Sequence, residues 1–151
     1  MVGAPGENWE LIPLANFVRW SGAVHVYRRA NNRWVRVQVL VFNDPAQPSF
    51  GRIGFGSEIA TNGRYFWITS PNANSQFSSE IQEGPALLYR WNAGRLEFVA
   101  RGPNSMSGGG IDMTRRYVIE GDNWSSRLFH FEGAHITDLS TLVPTDTDIT
   151  D

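Results

Sequence analysis

Phe55-Gly56-Ser57-Glu58-Ile59-Ala60-Thr61-Asn62-Gly63-Arg64-Tyr65-Phe66-Trp67-Ile68-Thr69-Ser70-Pro71 is the stretch whose reading decides the fold. Two short runs of strand-forming residues flank Asn62-Gly63. Both members of that pair tolerate the positive φ of a type I′ turn, so the stretch predicts a hairpin closed by those two residues. Beyond the turn, Tyr65-Phe66-Trp67-Ile68 is apolar at every position. A strand with one wet face alternates; this one does not, and it predicts a strand covered on both sides. Ser70-Pro71-Asn72 then ends it.

The same unit returns elsewhere in the chain. Gly22-Ala-Val-His-Val-Tyr-Arg-Arg aligns without gaps on Gly84-Pro-Ala-Leu-Leu-Tyr-Arg-Trp, and Arg127-Leu-Phe-His-Phe-Glu-Gly is a weaker third copy. The alignment runs through Asn31-Asn32-Arg33 against Ala93-Gly94-Arg95. Arg64-Tyr65-Phe66-Trp67-Ile68 resembles Arg116-Tyr117-Val118-Ile119, and Gly108 to Met113 stands where Gly56 to Thr61 stood.

Each copy predicts four short strands. The first is Gly56 to Thr61 and Gly109 to Thr114. The second is Arg64 to Thr69, Tyr117 to Glu120, and the opening Val2-Gly3-Ala4. The third is Ala23 to Arg28, Ala86 to Trp91 and Arg127 to Phe131. The fourth is Arg33 to Phe42, Arg95 to Ala100 and His135 to Leu139. Trp9 to Ala15 reads as a short helical turn inside a loop. Short strands at this spacing, divided by turn residues, predict an all-β protein. Repeats of four antiparallel strands predict propeller-like blades, about three of them, at 1–43, 49–102 and 105–143, with an acidic tail at 144–151.

Composition sets bounds on function. The 151 residues can bury a real core, and a formal charge of −2 gives no pull toward nucleic acid. Without cysteine there is neither a disulfide framework nor a thiolate metal site. No apolar run approaches the roughly 20 residues that span a bilayer, so no membrane span is expected. Met1-Val-Gly-Ala-Pro has no charged n-region and no apolar h-region, so no signal peptide is expected in these residues.

Phe55-Gly56-Ser57-Glu58-Ile59-Ala60, with Val2-Gly-Ala-Pro-Gly-Glu7 and Gly22 to Arg29, resembles the FG-GAP repeat, the blade motif of integrin α-subunit propellers and of many bacterial surface proteins. Thr69-Ser70-Pro71 stands where the family has Gly-Ala-Pro. In the last copy Ser107-Gly108 replaces Phe-Gly, and Glu120-Gly121-Asp122 replaces Gly-Ala-Pro. The resemblance implies a surface or extracellular setting and recognition or adhesion rather than catalysis. Many members bind calcium through an Asp-rich loop between the first two strands. Here those loops are Thr61-Asn62-Gly63 and Thr114-Arg115, too short and too poor in carboxylates for about six to eight oxygens, so no metal and no cofactor are expected. Closed propellers have about four to eight blades. Three are incomplete as a single-chain ring, which implies self-association or another chain that completes them.

In the family the loops joining second to third strands lie on the rim used for recognition. Those loops hold Trp9, Phe17 and Trp20, then Asn74 and Phe77, then Trp124, and these six are the expected ligand-binding residues for a glycan or a protein. The alternative for them is core that covers blade edges. Trp34, Trp67 and Trp91 lie in strands and are expected to pack. His25, His130 and His135 lack zinc-ligand spacing and read as structural or surface histidines. Gly108-Gly109-Gly110 is not followed by a helix and reads as close backbone approach, not a phosphate cradle. Thr145 to Asp151 lacks the turning Gly and distal Glu of a calcium loop. Two other functions stay open: a hydrolase using Glu58 and Asp112 as acid and base, and a structural subunit whose blades pack into a larger particle.

Overall fold

The computed structural model describes residues 1–7, 22–42, 54–70, 84–105, 110–121 and 125–142. They form eleven strands in three antiparallel sheets, with no helix. The first sheet pairs β1 (Val2–Ala4), β2 (Ala23–Ala30) and β3 (Arg33–Val41) in that order. The second pairs β4 (Ile59–Thr61), β5 (Tyr65–Ile68), β6 (Gly84–Asn92) and β7 (Arg95–Ser105). The third pairs β8 (Gly110–Met113), β9 (Tyr117–Gly121), β10 (Ser126–Glu132) and β11 (His135–Leu142). Each sheet is a meander of sequence neighbours, and none closes on itself. Trp9 to Ala15 and the 144–151 tail lie outside the described residues.

Equivalent strand pairs carry equivalent irregularities. The last two strands of every sheet, β2–β3, β6–β7 and β10–β11, share a register shift at one matching place: Val26/Tyr27, Leu88/Tyr89 and Leu128/Phe129. A bulge bends its strand and increases local twist.

The hairpin tips differ from expectation in one respect. Asn62 N donates to Tyr65 O at 3.3 Å, so Gly63-Arg64 and not Asn62-Gly63 occupies the tip. Gly63 has φ +86° and Asn62 is not in the positive region, the pattern of a type II′ turn. The cause is the Asn62 side chain, whose Oδ1 accepts from Arg64 N at 3.0 Å and Tyr65 N at 2.8 Å and so folds over the tip from outside it. Type I′ geometry appears instead at the β2–β3 and β6–β7 tips. There Asn31 and Asn32 have φ +48° and +63°, and Ala93 and Gly94 have +46° and +89°.

β4 also starts later than the sequence suggested. Gly54 to Ser57 form a turn, closed by Ser57 N and Oγ donating to Gly54 O at 3.1 and 2.6 Å. This turn inserts the fully buried Phe55 ring between the first two sheets, 6.0 Å from the ring of Phe42 and 6.5 Å from that of Tyr89.

The middle sheet is covered on both faces, as the apolar run at Tyr65 to Ile68 predicts. Phe66 and Ile68 point to one cluster with Val24, Val26 and Leu40 of the first sheet. Tyr65 and Trp67 point to another with Met113, Val118 and Phe129 of the third. Trp67 is fully buried, stacked on Phe129 at 5.6 Å and 22°, and its indole N–H donates to the buried Glu120 carboxylate. Burying that N–H requires a partner, and Glu120 supplies one. Trp91 packs partly buried against the first cluster. Trp34 is the exception among the strand tryptophans. It is 70% exposed, because it lies on a sheet-one surface that no described sheet covers.

Candidate functional site

Alternating strand direction divides the connections between two ends of the molecule. The segments joining β1 to β2, β5 to β6 and β9 to β10 leave from one end. There Gly22 and Gly3 abut the Phe55-Gly56 turn. The proposed ligand residues Trp9, Phe17, Trp20, Asn74, Phe77 and Trp124 belong to those segments and lie outside the described residues. The tips joining first to second and third to fourth strands gather at the other end, and a described cleft forms there.

The cleft has a volume of about 450 Å³ and is walled by Asn62, Arg64 and Tyr65 of the β4–β5 hairpin, Arg115 and Arg116 of the β8–β9 hairpin, and Phe131, Glu132 and Gly133 at the β10–β11 tip. Its size falls within the range of small-ligand pockets. Backbone bonds fix the residues that carry the arginines. Arg64 O accepts from Trp91 N at 2.8 Å, and Arg116 O accepts from Phe131 N at 2.9 Å. Asn62 joins the two hairpins: its Nδ2 donates to Thr114 O at 2.9 Å and reaches Arg115 O at 3.4 Å.

One aromatic pair forms the wall behind the arginines. Phe131, almost fully buried, meets the Tyr65 ring edge-on at 5.2 Å and 65°. The Arg64 guanidinium lies 5.6 Å from the Tyr65 ring centre. Among the described residues no carboxylate forms an ion pair with Arg64, Arg115 or Arg116, although the exposed Glu132 stands at the rim. Three arginines on two linked hairpins, with one glutamate among the lining residues, make a local excess of positive charge in a chain of net charge −2. Planar forks of that kind suit oxyanions.

The acid and base candidates are arranged differently. Glu58 stands just before β4 and its carboxylate accepts from Gly110 N–H of the neighbouring β8. Partial burial raises its pKa above the ordinary glutamate value, opposed by that hydrogen bond. Asp112 is exposed, with Oδ1 accepting from Met113 N at 2.8 Å. β4 and β8 touch, but neither carboxylate lines the cleft. Among the histidines, His25 bonds Glu7 at 2.6 Å, His130 packs on the Tyr117 ring at 5.2 Å, and His135 is exposed. Among the described residues no three His, Cys, Asp or Glu side chains converge on a metal position, and no helix is long and apolar enough to cross a membrane.

The arginine cleft was not among the residues singled out from the sequence. A signal was present: Arg-Tyr opens the second strand in both Arg64-Tyr65 and Arg116-Tyr117, and a repeated arginine at a hairpin tip is not needed for packing. Comparison with protein families, with curated proteins and with solved structures finds no match.

Proposed function

We propose that the chain is a set of propeller-type, FG-GAP-like blades acting as a non-enzymatic recognition module, completed by a second copy or another chain. In this reading a glycan or protein ligand is held by the segments joining second to third strands. The observation that carries it is the stacking order. Three consecutive meanders pack face on face, β4 lies beside β8, and the Phe55-Gly56 turn is wedged at the seam between the first two sheets. Adjacent first strands and a Phe-Gly wedge at the seam suit blades set around an axis.

The outer sheets support the completion. Val2, Tyr27 and Trp34 of the first sheet, and Tyr117, Ile119 and Leu139 of the third, are large apolar side chains left in contact with solvent. Apolar faces and open strand edges favour association. The hydrolase alternative has less behind it, since Asp112 is spent on a backbone N–H and Glu58 on Gly110.

Light scattering on the full chain at micromolar concentration tests the reading. A mass that is a multiple of 16.9 kDa, reduced toward a single copy by Trp34→Asp, is expected. A stable, cooperatively folded monomer across that concentration range would overturn the completion by a second copy.

A further inference from the structure

We propose that the cleft lined by Arg64, Arg115, Arg116, Tyr65 and Glu132 binds an acidic sugar, a hydroxylated ring carrying sulfate or carboxylate. This does not rest on the reading above, because the cleft lies at the end opposite the segments that join second to third strands.

Four observations point to that ligand class. First, Arg64, Arg115 and Arg116 all line one cleft, and among the described residues no carboxylate forms an ion pair with them, so their forks are available to an oxyanion. Second, the backbone is pinned where it carries them, through Arg64 O, Arg116 O and the Asn62 bridge between hairpins. The backbone positions from which these arginines project are therefore set before any ligand arrives, which lowers part of the ordering cost of binding. Third, a space of about 450 Å³ is far larger than one inorganic anion, and it includes Glu132 at the rim. A carboxylate repels a bare oxyanion but accepts hydrogen bonds from ring hydroxyls. Fourth, the Tyr65 ring already meets the Arg64 guanidinium and the edge of Phe131. That arrangement disfavours stacking by a nucleobase and suits a non-aromatic ring that bonds through its substituents.

The test is isothermal titration calorimetry of the full chain with four probes: a sulfated disaccharide, a uronic-acid disaccharide, a neutral disaccharide, and inorganic sulfate. Saturable binding of at least one acidic disaccharide is expected, much tighter than either the neutral disaccharide or sulfate. Affinity should fall as salt rises from about 50 to about 300 mM. Arg64→Gln and Arg116→Gln should each weaken it about tenfold or more, the scale of a lost charge-assisted hydrogen bond. The arm that responds, sulfate or carboxylate, identifies the oxyanion.

Equal binding of the neutral disaccharide would overturn the proposal. So would inorganic sulfate binding as tightly as the sugars, or no binding by either acidic disaccharide. If a glutamine variant loses its folded circular-dichroism signal, Arg64→Lys and Arg116→Lys keep the charge but remove the fork. A several-fold loss with those lysines is expected, and unchanged affinity would overturn the role of the guanidinium groups.

Discussion

The seam between the first and second sheets and the seam between the second and third solve the same packing problem by different means. The first adds close backbone approach to its apolar cluster, at the end that carries the Phe55-Gly56 turn. A Cβ on Gly3 would stand 2.0 Å from Gly56 O, and one on Gly22 would stand 2.3 Å from Phe55 O. Gln38 crosses it, accepting from Leu96 N at 2.7 Å and donating to Leu96 O at 2.9 Å. The second seam is built from large side chains and polar bridges: Trp67 on Phe129, Trp67 to Glu120, Asn62 to Thr114, and Arg127 Nη1 donating to Asn104 O at 2.8 Å. The close backbone approach of the first seam and the arginine cleft of the second lie at opposite ends of the molecule.

The largest expected effect breaks the second seam. Trp67→Ala removes a fully buried ring and leaves Glu120 without its indole donor, so a loss of about 3–5 kcal/mol is expected by chemical denaturation. A loss under about 1 kcal/mol would show that the sheets close over the gap and that this seam does not depend on its rings.

The next separates close contact from backbone strain. Gly56 and Gly63 have nearly the same φ, +84° and +86°. A Cβ at Gly56 meets Val24 Cγ2 at 2.8 Å and Ala23 O at 2.9 Å, whereas one at Gly63 meets nothing within 4 Å. Gly63→Ala should therefore cost only the left-handed penalty of about 1–2 kcal/mol. Gly56→Ala should cost more, about 3 kcal/mol, since overpacking adds to that penalty. Equal losses for the two would mean that the first seam has slack.

The smallest concerns pH. Burial holds the Glu58 pKa above its ordinary value of 4.5, so the folded state binds that proton more tightly than the unfolded chain. Its contribution is greatest at low pH and is lost as pH rises from the ordinary glutamate range through the raised folded value. Glu58→Gln keeps an acceptor for Gly110 N–H and removes the charge. A slightly higher melting temperature at pH 7 and a flatter profile over that interval are expected. An identical profile for both proteins would mean that Glu58 is solvated at the seam.

The sequence by itself determined the strands and their grouping. Gly22 to Arg29, Gly84 to Trp91 and Arg127 to Phe131 repeat one aligned, strand-forming pattern bounded by turn residues, and strand formation is governed by such local terms. The two-sided coverage of Tyr65 to Ile68 was readable for the same reason: a strand with no polar position has no face for water. Only the tertiary structure decided what depends on neighbours distant in the chain. The Asn62 amide, which caps its own turn, also bridges to Thr114 and Arg115 of the neighbouring hairpin, a contact no local pattern announces. Trp34 stayed in solvent because no described layer covers its face. Arg64 and Arg116 look like ordinary surface residues in the chain, 52 positions apart. They became one site because stacking the second and third sheets brought two hairpin tips together, and no local pattern encodes that distance.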